Sequence, residues 1–133
     1  MKFQRLPGPR VLPAGEYEAV IRLITTVRED RWRLDLEVTA WPTGAHGGFR
    51  LHDVLIFDRV GSVALQNWAH AESVLAAVGI DTEHETEVNA EMLHSKCVTI
   101  GVLLHESVDE DGGRRRWNTI AYGSYREAPE PLL

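Results

Sequence analysis

The residues of this 133-residue chain that can do acid–base, nucleophilic or metal chemistry are six histidines, one cysteine and twenty carboxylates. The histidines are His46, His52, His70, His84, His94 and His105. No two of them stand at H-x-H or H-E-x-x-H spacing, so no ready pair of metal ligands exists. His52 and Asp53 are adjacent, and a strand sends neighbours to opposite faces. Cys97 sits beside Val98 at the start of an apolar stretch, with no local activating group, and reads as a small hydrophobe. Asp109-Glu110-Asp111 lacks the spacing of a calcium loop. No G-x-x-x-x-G-K-[ST], G-x-G-x-x-G or G-x-S-x-G occurs. The expectation is therefore a non-enzyme without metal or cofactor.

Arginines and aromatics carry a different chemistry. Twelve of the fourteen basic residues are arginine. A GC-rich coding sequence gives that bias without function; the alternative is that guanidinium forks suit phosphates and bases. Arg22, Arg31, Arg33 and Arg50 fall on the polar phase of three strand-like runs. Arg114-Arg115-Arg116-Trp117 places three guanidiniums beside an indole. Trp41 and Phe49 flank the loop between the second and third runs, and Tyr122 lies on the polar side of the last one. Cations that track a backbone and rings that stack on bases are the components of a single-strand binding surface. Competing readings stand beside this one. Asp35 and Glu37 can pair with the strand arginines, and Arg114–Arg116 can neutralise the preceding acidic triplet. Trp117, Trp41, Phe49 and Tyr122 can equally pack against the domain, while Trp32, alternating with Leu34 and Leu36, and Trp68, on the apolar stripe of a helix, read as core.

The elements that position these residues follow from periodicity. Pro7, Pro9 and Pro13 make residues 1–14 an extended arm. Tyr17, Ala19, Ile21 and Leu23 share one face of a first strand; Trp32, Leu34, Leu36 and Val38 share one face of a second. A loop runs from Trp41 to Gly48, and a third strand spans Phe49 to Phe57, with either two covered faces or a bulge. Ser62 can cap a helix bearing Ala64, Trp68, Ala71, Leu75 and Val78, which Gly79 ends. Asn89 can cap one short turn. A fourth strand covers Lys96–His105 and a fifth Arg115–Gly123, joined through Asp109–Gly113. The order β-β-β-α-β-β predicts an all-β domain with one main helix, an OB-fold five-stranded Greek-key barrel over 15–123. Residues 124–133 read as a mobile, acidic, proline-containing tail.

Composition sets outer limits. One domain fits 133 residues, and no apolar run is long enough to span a bilayer. The N-terminus lacks a secretory apolar segment, and one cysteine excludes an internal disulfide, so a cytoplasmic setting is expected. The net charge of -6 argues against a generic nucleic-acid binder. Its distribution does not: residues 1–60 carry nine basic and eight acidic side chains, residues 61–133 five and twelve.

Several segments also resemble a small phage and prophage domain family from replication and recombination gene contexts. Leu12-Pro13-Ala14-Gly15-Glu16-Tyr17-Glu18-Ala19-Val20-Ile21 is similar to its "PxGxYxAxI" opening. Leu34–Val38 is similar to its "L-x-F-x-V" strand, and Leu75–Ile80 to its "A-x-G-[IL]" helix end. Leu93–Val98 is similar to "L-x-G-K-x-V", with Ser95 at the usual glycine, and Trp117–Ile120 to "x-N-x-[IV]". The resemblance covers about residues 12–122 and offers no catalytic residues. It implies an OB-type single-stranded DNA-binding protein of phage replication or recombination, in the host cytoplasm. Such binders are often dimers, and the tail loosely resembles the acidic tips that recruit replication partners. The alternative expectation is a protein-interaction module of a phage replication or virion assembly, without nucleic-acid affinity.

Overall fold

In a computed structural model, residues 11–39, 47–84 and 87–129 are described. Of the elements read from the sequence, the arm up to residue 10, most of the Trp41–Gly48 loop and the last residues of the tail lie outside them. The strands are β1 (Gly15–Arg28), β2 (Arg31–Val38), β3 (Arg50–Ile56), β4 (Cys97–Val108), β5 (Arg114–Ile120) and β6 (Arg126–Glu127). Helix α1 (Ala64–Ala77) lies between β3 and β4, followed by one 3₁₀ turn at Ala90–Leu93. All pairings are antiparallel, in the order β3-β2-β1-β4-β5. The two outer strands, β3 and β5, approach each other, so the sheet curls into a nearly closed barrel. Five such strands with one helix between the third and fourth make the OB-fold arrangement.

β1 makes the curl possible. Its start, Gly15–Val20, pairs with β4, while Ala19 onwards pairs with β2. Between Ile21 and Leu23 the register shifts, leaving Arg22 as the extra residue of a bulge. A bulge reverses the in–out phase beyond it. Leu23, expected in the core with Ile21, is 54% exposed, and Ile24 packs inward in its place. β3 needs no bulge. Its ladder with β2 is continuous, with Leu51, Asp53 and Leu55 inward and Val54 and Ile56 outward. Trp32, Leu34 and Leu36 of β2 and Val98, Ile100 and Val102 of β4 complete the barrel core.

Helix α1 closes one end of the barrel with Ala71, Val74, Leu75 and Ala77. Its N-cap is Val63, not Ser62, and no side chain caps it. Its C-terminus is as expected. Gly79 has φ +86°, its N–H donates to Ala76 O, and that of Ile80 to Leu75 O. This paired arrangement needs the left-handed residue that glycine supplies. Ser95 also adopts φ 63° and is the one non-glycine in that region among the described residues.

Residues 124–127, read as tail, are folded. Tyr125 is buried and Arg126–Glu127 pairs with Val98–Thr99 of β4, along the edge that β5 leaves free. Leu12, read as arm, is buried too. Its N–H donates to Asn118 Oδ1 at 2.8 Å, and Asn118 Nδ2 donates back to Leu12 O at 2.9 Å. Among the described residues no helix is long and apolar enough to cross a membrane.

Candidate nucleic-acid interface

β4 loses its β1 partner at Val102, so the two-stranded β4–β5 ribbon continues alone past the barrel. Alternation then sorts its side chains. Leu103, His105 and Ser107 of β4 share a face with Thr119, Trp117 and Arg115 of β5. Leu104, Glu106 and Val108 share the other with Asn118, Arg116 and Arg114. The turn Asp109–Gly113 sets this register, with Asp109 N–H on Gly113 O at 2.7 Å and Gly112 at φ +81°.

The first ribbon face and the outer face of β3 bound a groove of about 900 Å³ at the barrel seam. His52, Val54 and Ile56 form one wall; Leu103, His105, Ser107, Arg115, Trp117 and Thr119 form the other, and Tyr122 stands at one end. The rings of His105 and Trp117 are stacked, 17° from parallel with centroids 5.4 Å apart. His105 is further fixed by a 2.6 Å hydrogen bond between Nε2 and Thr119 Oγ1. Trp117 is 42% exposed and Tyr122 67% exposed. Apart from Asp53, no carboxylate among the described residues lines the groove.

The Asp53 charge is internally satisfied. Its Oδ2 accepts from His70 Nε2 at 2.7 Å and from the Tyr125 hydroxyl at 2.9 Å, and its Oδ1 from Val54 N–H at 2.8 Å. On the far side of the imidazole, Gly123 N–H donates to His70 Nδ1 at 2.9 Å. That bond requires a bare Nδ1, so the His70 proton sits on Nε2 toward Asp53. With both nitrogens engaged and the ring 2% exposed, His70 ties the 121–125 segment to β3. The Tyr122 ring meets it edge-on at 4.7 Å. Burial first, then the Asp53 charge and hydrogen bond, push the Tyr125 phenol well above its usual range.

The other expected site residues divide. Arg31, Arg33 and Arg50 lie on the outer face of β2 and β3, and Arg22 reaches the same face. Three of the four already face carboxylates. Arg22 Nε pairs with Glu37 at 2.6 Å, Arg33 with Asp35 at 3.4 Å and Arg31 with Asp58 at 3.8 Å. The Arg22 guanidinium, with a smaller contribution from Arg50, holds the Glu37 carboxyl below its usual range. Arg114 pairs with Glu106 at 3.8 Å, and Arg116 shares that face, so the three consecutive arginines are not one cluster. Only Arg115 of the three joins Trp117 in the groove. Phe49 is half-buried against the core and is no free platform. Trp41 lies outside the described residues. Trp32 is core as expected, whereas Trp68 is half-buried with its indole N–H on Asp58 O.

Sequence reasoning missed His105 and the Asp53–His70–Tyr125 network. The first was recoverable, because the Asp109–Gly113 turn fixes which β4 residue faces Trp117. The second joins residues 17 and 72 positions apart, which no local pattern reveals. In comparisons with known proteins, no family model matches the chain and no curated protein is significantly similar to it.

Proposed function

We propose that this protein binds single-stranded DNA in the groove between β3 and the β4–β5 ribbon, with little sequence preference. The observation that carries the reading is the His105–Trp117 stack beside Arg115 and exposed Tyr122, at the place where OB-folds hold oligonucleotides. Rings already held in position lose little freedom when a base stacks on them, and Arg115 has no ion-pair partner among the described residues. The resemblance to a phage and prophage family supports a place in phage replication or recombination. The left-handed Ser95 backbone adds to that resemblance, since it stands where the family carries glycine. A dimer, and recruitment of replication proteins through the end of the chain, belong to the same reading.

Anisotropy of fluorescein-labelled oligo(dT) tests it. Binding at low salt that weakens steeply as salt rises is the expected result, because each neutralised phosphate releases a counterion. Absence of binding at low salt overturns it. The second reading, a protein-interaction module, is favoured by one observation: Arg22, Arg31 and Arg33 already face carboxylates. It predicts no oligonucleotide binding at any salt concentration.

A further inference from the structure

A second cavity, of about 420 Å³, opens between α1, the turn joining β1 to β2 and the segment after the helix. Among the described residues it shares no lining residue with the groove. Its walls are apolar, with three aromatic rings beside Ala71, Leu75, Ile80 and Val88. Trp32 meets Phe57 edge-on with centroids 4.8 Å apart, and Phe57 meets Trp68 at 6.0 Å. Its rim is acidic, with Glu29 from the turn, Glu72 from α1 and Asp81 after the helix. Among the described residues no lysine or arginine lines it, and the one histidine there, His84, is paired with Asp81 at 2.7 Å.

These features select a ligand class by charge. Ring faces carry negative electrostatic potential, and three carboxylates add to it. An anion is repelled, and a neutral apolar molecule gains nothing from the rim. An organic cation gains from both. Trp68 already attracts one: the guanidinium of Arg59, which does not line the cavity, lies 5.7 Å from its ring centroid. The Trp68 indole N–H is anchored on Asp58 O at 3.0 Å, so the ring is fixed before any ligand arrives.

We propose that this cavity binds a guanidinium or alkylammonium group, flanked by Trp68 and Phe57 and neutralised by Glu29 and Glu72. The source is either a free organic amine or an arginine or lysine side chain of a partner.

Calorimetric titration of the full chain tests this with three probes: agmatine, a capped Gly-Arg-Gly peptide and its neutral citrulline counterpart. Both cations are expected to bind, with the citrulline peptide weaker by about tenfold. Tighter binding of the arginine peptide than of agmatine assigns the group to a partner chain; equal binding assigns it to a small amine; both support the proposal. Glu72→Gln, at an exposed helix position, is expected to weaken the cations about two- to fivefold and leave the citrulline peptide unchanged. Trp68→Leu, checked for folding by circular dichroism, is expected to cost about tenfold. Equal affinity for the arginine and citrulline peptides, or no binding of either cation at millimolar concentration, overturns the proposal.

Discussion

The Trp117 indole lies 17° from parallel with the His105 imidazole, and the two are direct cross-strand partners in the β4–β5 ladder. Register makes the two rings neighbours on one face, and the Asp109–Gly113 turn sets that register. Thr119, two residues along β5 on the same face, then fixes the imidazole. The result is a rigid aromatic surface on a ribbon that extends beyond the barrel.

If bases stack there, Trp117→Ala weakens oligo(dT) binding by about 1–3 kcal/mol, the usual worth of one base–aromatic contact. Its thermal midpoint changes little, because the indole is largely outside the core. Anisotropy titration and a melting curve on one preparation check both. Unchanged affinity removes Trp117 from the site.

The split of the arginine run makes a sharper comparison. Arg115→Ala is expected to weaken binding and to reduce the slope of log affinity against log salt by about 0.7, the single-strand value for one phosphate. Arg116→Ala, on the opposite ribbon face beside Glu106, leaves that slope unchanged. Equal losses from both substitutions contradict the two-faced ribbon.

How far the sequence foretold this depends on the range of each interaction. Strict alternation in Trp32–Val38 and the glycine after α1 are local signals, and they mark a strand and a helix end that the structure has. Leu23 went the other way because a single bulge residue, Arg22, inverts the phase, and nothing in the local pattern marks it. The arginine face was legible as a face, yet its pairing with Glu37, Asp35 and Asp58 depends on side-chain reach across and along strands. Tyr125 and Leu12 looked like terminal chain because their partners, Asp53 and Asn118, are 72 and 106 residues away.

The buried His70 contact gives a stability prediction. His70→Ala leaves the Gly123 N–H without its acceptor and the Asp53 carboxylate with one fewer donor, at a cost of about 2–4 kcal/mol. Tyr125 adds a pH dependence. Its folded pKa is raised, so the folded state keeps the phenol proton where the unfolded chain releases it. That stability is fully present below about pH 10 and is lost as pH rises through the folded value. Urea midpoints from pH 8 to 11 should fall for the native chain and flatten in Tyr125→Phe. An unchanged alkaline slope contradicts the assignment.

Asn118 fastens the incoming chain to β5 by bonding Leu12 in both directions. Asn118→Ala leaves the Leu12 N–H and C=O without those partners and is expected to lower stability by about 1–3 kcal/mol. Ser95→Gly acts in the opposite sense. Relief of the left-handed serine is expected to raise stability by up to about 1 kcal/mol, after the entropy cost of glycine. Chemical denaturation of the two variants checks the signs.

The most direct test of the groove as a DNA site uses the four tryptophan side chains as position markers. In a ¹⁵N-labelled sample titrated with unlabelled oligo(dT), the Trp117 indole N–H signal should shift progressively and saturably. The Trp32 signal, from the barrel core, should stay in place. A titration in which Trp117 does not move while the oligonucleotide is in excess contradicts the account.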